Sequence, residues 1–177
     1  MTTPNPRWTA PDVERTDPPR VAGERESLEA WLDYHRSTLL WKCAGLDRDQ
    51  LRRRPVASST LSLHGLVRHM AMVERWWFEV NARGRAVELP FWRKGNRAGD
   101  FDDVDGADAE TDFAAYLGAV EDARAAVADL PLDHVFRTRR GNDMDLRWVY
   151  LHMIEEYARH NGHADLLREV VDGTTGD

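Results

Sequence analysis

The sequence lacks the features that mark secreted, membrane and nucleic-acid-binding proteins. Its 177 residues include one cysteine, Cys43, so no internal disulfide can form and a reducing compartment fits. No apolar run approaches the roughly 18 residues that a membrane-spanning helix needs, and the first residues have no apolar signal core. Acidic residues outnumber basic ones by 31 to 24, which argues against nucleic acid or an anionic membrane as partner. We therefore expect a cytoplasmic protein that binds neither nucleic acid nor membranes.

Proline is scarce beyond the first 22 residues, where five of the eight prolines lie. Each proline fixes φ and removes a backbone donor, so residues 1–22 are predicted to form an irregular N-terminal arm. The arm is either a loose tail or a segment that lies over the folded part with Trp8 as its anchor. Residues 23–177 are predicted to form a single folded unit.

Four segments of that unit repeat apolar residues at three- and four-residue steps, which predicts amphipathic helices. They cover about residues 24–46, 62–82, 109–130 and 146–172. Asp145 suits an N-cap, and Gly173 suits the position that ends a helix. Only residues 134–138 are a candidate strand. Four helices of similar length must bury their apolar stripes against each other, so the predicted fold is all-α, an up-down four-helix bundle.

The connection between the second and third helices, residues 83–108, is long enough to be functional or poorly ordered. It contains an aromatic and basic cluster that includes Trp92 and Arg93. An acidic run follows it and continues into the third helix: Asp100, Asp102, Asp103, Asp105, Asp108, Glu110 and Asp112. No frame of this run fits a calcium-binding EF-hand loop. We expect a solvated loop, followed by acids at a helix N-terminus.

Helical-wheel angles separate the histidines into those that face the core and those that do not. At about 100° per residue, His160 lies about 30° from the centre of its apolar stripe and Glu156 about 70°. On the second helix, His69 lies about 75° from the centre, at the edge of the stripe. His64, about 145° away, is predicted to face solvent. Glu156 and His160 therefore project from one helix face, and His69 can reach them.

Two imidazoles and a carboxylate are costly to bury unless they are paired or bound to a metal. The same set is common for catalytic zinc, with one position left open, and it also suits nickel or iron(II). The alternative is a pair of hydrogen-bonded core histidines, with the Glu156–His160 pair stabilising the helix surface. On spacing alone, both interpretations remain open.

Two segments resemble the second and fourth helices of the DinB-like superfamily, namely residues 63–78 and 152–169. The resemblance extends over most of the chain from about residue 24. It implies a four-helix bundle with one divalent metal, bound by one residue of the second helix and two residues of the fourth. By position these ligands are His69, Glu156 and His160. Many relatives carry glutamine at the position of His163, which is either a proton shuttle beside the metal or a hydrogen-bond partner.

The branch of the superfamily is indicated by Glu156, since many members have histidine there. The His–Glu–His version resembles the mycothiol-dependent branch, which includes maleylpyruvate isomerase and mycothiol S-transferases. Isomerase-like members often carry a further C-terminal domain, and this chain ends soon after the fourth helix, so we expect a transferase. The resemblance also allows a homodimer.

The expected activity is transfer of a mycothiol-like thiol to an electrophilic small molecule. A divalent metal, zinc before nickel or iron, would favour the thiolate. His163 would move a proton, and Trp92 and Arg93 would contact the thiol. Two alternatives remain: a hydrolase that uses a metal-bound hydroxide, and a non-enzymatic metal-binding stress-response protein.

Overall fold

The computed structural model describes residues 8–96, 98–139 and 141–176, and these are mostly helical. The elements are α1 (Glu24–Cys43), α2 (Arg48–Leu51), α3 (Leu63–Glu74), a π-helix (Arg75–Ala82), α4 (Gly99–Asp102), α5 (Ala109–Val127), β1 (Val135–Arg137), β2 (Asp143–Asp145) and α6 (Leu146–Asp172). The four predicted helices are confirmed as α1, α3 with its π-helical continuation, α5 and α6. The helical content is compatible with the all-α class.

Local sequence explains where the long helices begin and end. The side chains of Ser62, Asp108 and Asp145 accept backbone N–H groups in the first turns of α3, α5 and α6. Such caps satisfy donors that have no partner within the helix. Gly173 ends α6 with a φ of 80°, a conformation that costs glycine little. The predicted roles of Asp145 and Gly173 are confirmed.

A short antiparallel hairpin precedes α6. Phe136 of β1 pairs with Met144 of β2, and β1 lies inside the candidate strand at residues 134–138. The sequence did not predict β2, because three residues that include two aspartates show no apolar alternation. The four-residue helices α2 and α4 were missed for a related reason, since one turn is too short to show a period.

The long helices pack in pairs around a shared apolar core. α1 lies against α6, α3 against α5, and α3 also contacts α6. Leu32, Leu66, Met70 and Met153 are among the fully buried side chains. Burying each such side chain stabilises the fold by about 1.5–3 kcal/mol. Among the helices of the described residues, none is both long and apolar enough to cross a membrane.

The N-terminal arm, from residue 8 onward, lies against the folded part. The Trp8 ring packs edge-on against Phe113, with centroids 5.5 Å apart. The backbone N–H of Ala10 donates to the carbonyl oxygen of Leu46, and the carbonyl oxygen of Ala10 accepts from the N–H of Gly45, both at 2.9 Å. Residues 1–7, which the arm prediction also covers, lie outside the described residues.

A closed polar network joins α1, α3, α5 and α6 inside the core. Arg36 donates from Nε and Nη2 to the two carboxylate oxygens of Glu74, at 2.8 and 2.6 Å. The Tyr157 hydroxyl donates to Glu74 at 2.7 Å and lies 3.0 Å from the Tyr116 hydroxyl. The Glu74 side chain is fully buried. The network therefore fixes α6 against α3 at Tyr157, which directly follows the candidate ligand Glu156.

Candidate metal centre

The structure brings the three predicted ligands together between α3 and α6. His69, Glu156 and His160 each place one ligand atom so that these atoms all lie within 4.8 Å of one another. His160 Nε2 is 3.4 Å from Glu156 Oε2, and the two imidazole centroids are 4.8 Å apart. All three side chains are largely buried but keep some access to solvent. Three such side chains could hold a small divalent ion.

A carboxylate orients His69. Its Nδ1 lies 2.7 Å from Oδ2 of Asp100, and the side chain of Asp100 is only 4% exposed. Because a buried carboxylate accepts, we assign the proton to Nδ1, which leaves the Nε2 lone pair free for a ligand. The Phe101 ring packs against the imidazole at 5.0 Å between centroids. Asp100 was predicted to lie in a solvated loop, and that prediction is wrong.

Arg68 holds α4, and with it Asp100, against α3. Its Nε donates to the Asp100 carbonyl at 3.1 Å, and its Nη2 donates to the Gly99 carbonyl at 2.9 Å. The backbone passes so close that a Cβ on Gly99 would lie 2.5 Å from the carbonyl oxygen of Phe91. Glycine is therefore required where the chain returns to the candidate metal centre.

The prediction that His64 faces solvent is also wrong. Its side chain is fully buried, and its Nε2 lies 2.8 Å from Oδ2 of Asp112 on α5. Arg68 donates to the same oxygen at 2.7 Å, so Asp112 is buried rather than solvated. The helical-wheel prediction treated only the apolar stripe of α3 as buried. In the structure, α5 covers a second face of α3 through the polar contacts of Asp112.

A second imidazole orients His160. Nδ1 of His160 lies 3.3 Å from Nδ1 of His163, so one ring must donate and the other must accept. We assign the proton to His160, because its Nε2 then faces Glu156 with a free lone pair. Burial, followed by the neighbouring charges of His69 and His163, lowers the pKa of His160 to about 4. The imidazole is therefore neutral at physiological pH, as a metal ligand must be.

A row of side chains spaced four residues apart winds around α6, each turned about 40° from the next: Trp148, His152, Glu156 and His160. His152 Nε2 lies 3.6 Å from Oε1 of Glu156. His152, Glu155 and Glu156 also place one ligand atom each within 4.8 Å of one another. The wheel placed His152 outside the apolar stripe, so this residue was missed. The spacing of four residues was the signal that could have found it.

The predicted loop residues lie apart from this cluster. Trp92 is 48% exposed, and Arg93 pairs through its backbone with Asn96 in a tight turn. Their neighbour Phe91 packs inward, with the Arg68 guanidinium 3.9 Å from its ring centroid. In the described part of the chain, no hydrogen bond or ring contact joins Trp92 or Arg93 to the candidate metal centre.

The fold and the cluster together define a class, namely a mostly helical protein with two oriented imidazoles and a carboxylate suited to a divalent metal. The family model for mycothiol S-transferases matches residues 27–173. The chain therefore belongs to the mycothiol S-transferase family, within the DinB-like superfamily, and the predicted resemblance is confirmed. Membership implies a mycothiol S-transferase activity, which is transfer of a thiol. No curated protein matches the chain.

Proposed function

We propose that this chain is a mycothiol S-transferase that depends on one divalent metal, held by His69, Glu156 and His160. The observation that carries the proposal is the orientation of the two imidazoles, which come from different helices. Each has its Nδ1 engaged by a neighbour, so that both Nε2 lone pairs are available beside the carboxylate of Glu156. Proteins commonly orient histidine ligands in this way. We further propose that the four long helices of residues 23–177 form the up-down bundle typical of the superfamily.

The donor set suits zinc first, and nickel or iron(II) as well. Three protein ligands leave a position for the sulfur of the cosubstrate. A divalent metal held by His69, Glu156 and His160 would favour the thiolate form of the cosubstrate, which is the nucleophile. The thiolate would attack the electrophilic carbon of the second substrate, whose leaving group departs with the bonding electron pair.

The surrounding residues have defined roles in this proposal. Asp100 and His163 each fix the orientation and the tautomer of one imidazole. Glu156 contributes a negative charge that partly neutralises the ion. His163 touches His160 on the nitrogen remote from Glu156, which favours the role of hydrogen-bond partner. Proton transfer by His163 and thiol binding by Trp92 and Arg93 stay predictions.

The first experiment measures metal content by elemental analysis of untagged protein. We expect about one divalent ion per chain in the wild type and none in His160→Ala. His134→Ala is the matched control, because His134 lies before β1 and outside the cluster; it should keep its metal. A wild type that binds no zinc, nickel or iron would contradict the metal proposal.

The second experiment measures consumption of mycothiol by the metal-loaded wild type with a panel of electrophiles. Turnover should require both metal and thiol, and His160→Ala should be inactive. Turnover of an ester or amide without added thiol would instead support the hydrolase alternative.

A further inference from the structure

Three aromatic side chains form a cluster beside Glu156, which we call the aromatic wall: Trp77, Trp148 and His152. The rings of His152 and Trp148 are stacked, with centroids 4.8 Å apart and an interplanar angle of 16°. Trp77 packs against both, with centroids 4.8 Å from His152 and 5.3 Å from Trp148. Trp148 remains 40% exposed. The wall thus offers aromatic surface that the protein itself does not cover.

The backbone that carries Trp77 is unusual. Residues Arg75–Ala82 form a π-helix of eight residues, whereas π-helices are rare and occur mostly as single turns at functional sites. This winding continues directly from the helix that bears His69. The change of winding alters the direction in which Trp77 projects, and in the structure it projects onto His152 of α6. A rare backbone conformation therefore carries one ring of the wall.

The wall begins beside the candidate metal centre, where its member His152 contacts Glu156 on α6. His152 is 3.6 Å from Glu156, and Trp148 precedes His152 by one further helical turn. Four residues of α-helix advance about 6 Å, so the wall extends about 6–12 Å along α6 from Glu156. A substrate that extends about 6–12 Å from the centre along α6 would reach these rings.

We propose that the aromatic wall binds the electrophilic substrate, and that this substrate is a planar, electron-poor aromatic compound. The inference rests on the proposed function, because it assigns the acceptor of the thiol. A carbon that a thiolate can attack on an aromatic ring must be electron-poor. The faces of indole rings carry negative potential and therefore complement such a ring. Chemical reactivity and stacking thus select the same class of molecule.

The transfer is balanced for an aryl halide. The thiol sulfur forms a bond to the ring carbon, and the carbon–halogen bond breaks. The halide leaves with the bonding electron pair, and the thiol proton passes to solvent. No atom is oxidised or reduced by an outside reagent.

Selectivity for the acceptor provides the first test. The measurement is kcat/KM of the metal-loaded enzyme with mycothiol and either 1-chloro-2,4-dinitrobenzene or iodoacetamide, after subtraction of the uncatalysed rate. In Trp148→Leu we expect kcat/KM for the aromatic acceptor to fall by about tenfold, while that for iodoacetamide changes less than twofold. Trp31→Leu, which removes a comparably exposed tryptophan from α1, is the control and should change neither value. An equal fall for both acceptors in Trp148→Leu would overturn the proposal.

Binding without chemistry separates this inference from the proposed function. Calorimetric titration of 1,3-dinitrobenzene, which has no leaving group, needs neither thiol nor turnover. We expect saturable one-site binding to wild type and Trp31→Leu, and at least fivefold weaker binding to Trp148→Leu. Trp77→Phe keeps an aromatic ring, so its Kd for 1,3-dinitrobenzene should lie within threefold of the wild-type value. Equal affinity in wild type and Trp148→Leu would overturn the inference even if thiol transfer is observed. Binding by the wall without any thiol transfer would contradict the proposed function alone.

Discussion

Two polar clusters both bridge α3 and α6, and only one of them is closed. In the closed network, Arg36 and Glu74 satisfy each other at 2.6 and 2.8 Å inside the core. In the candidate metal centre, the nearest approach between His160 and Glu156 is 3.4 Å. Asp100 and His163, which lie outside the three candidate ligands, contact the Nδ1 atoms of the two imidazoles. The first cluster has completed its bonds within the protein, whereas the second has the donor set that we propose holds a metal.

The two clusters are also connected through the chain. Glu74 follows His69 by five residues, and Tyr157 directly follows Glu156. The closed network thus fixes the separation of the helices that carry the ligands. Buried polar networks rigidify a structure when all members are satisfied. We infer that the rigid network beside the candidate metal centre keeps the ligand atoms of His69, Glu156 and His160 in place without hydrogen bonds between them.

The largest effect is expected from breaking the closed network. Glu74→Ala leaves the buried Arg36 guanidinium with Asp33 as its remaining carboxylate partner and removes the acceptor of the Tyr157 hydroxyl. The free energy of unfolding should fall by about 3 kcal/mol, the lower end of the range for a broken buried ion pair. Urea denaturation measures this change. Glu110→Ala breaks an exposed ion pair with Arg48 and should cost less than about 1 kcal/mol. Similar losses in both variants would show that the buried pair is not special.

Removal of the metal should lower the free energy of unfolding, and this effect should depend on the candidate metal centre alone. A ligand present at one hundred times its Kd stabilises a protein by about 2.7 kcal/mol, so zinc should raise the free energy of unfolding of the wild type by that amount. A chelator should reverse the increase. His160→Ala should show no difference between zinc and chelator. A zinc response of equal size in this variant would contradict the ligand assignment.

Loss of the Asp100 carboxylate tests the support of His69. Asp100→Ala should weaken zinc affinity by about 10- to 100-fold, the usual effect of removing such a partner. Competition with a chromophoric chelator measures the affinity. Asp105→Ala removes an exposed carboxylate in the same part of the chain and should leave the affinity unchanged.

His163 provides a finer test of the same kind. His163→Ala should weaken zinc affinity by about tenfold, because His160 loses its acceptor. His163→Gln should restore the affinity, since the amide oxygen can accept the Nδ1 proton. Restored affinity together with a large loss of kcat would assign His163 the proton-transfer role instead.

No chemical modification of the buried thiol of Cys43 is expected in the folded protein. Burial raises the pKa of Cys43 to about 12, so the side chain stays a protonated, unreactive thiol. Mass spectrometry of native protein incubated with iodoacetamide at pH 8 should show no modification, whereas urea-unfolded protein should be labelled. Labelling of the native protein would contradict the burial of Cys43.

Helical periodicity predicted that the three candidate ligands can meet, and the resemblance to the DinB-like superfamily predicted their role as ligands. Glu156 and His160 share one face of one helix, and His69 lies at the edge of a facing stripe. Asp100 could not be predicted in this way, because it reaches His69 from the single-turn helix α4, whose position depends on Arg68 and Gly99. His64 was misplaced because α5 covers a face that carries no apolar stripe. The π-helix leaves no periodic signal, and the aromatic wall was missed with it.

The contact between Asp100 and His69 couples two equilibria. Arg68 holds α4 in place, and Asp100 of α4 in turn contacts the imidazole, so the docking of α4 and the affinity for the proposed ion are coupled. By reciprocity, an ion that binds more tightly when α4 is docked would also stabilise the docked position of α4. We therefore expect zinc to slow proteolytic cleavage of the chain next to α4.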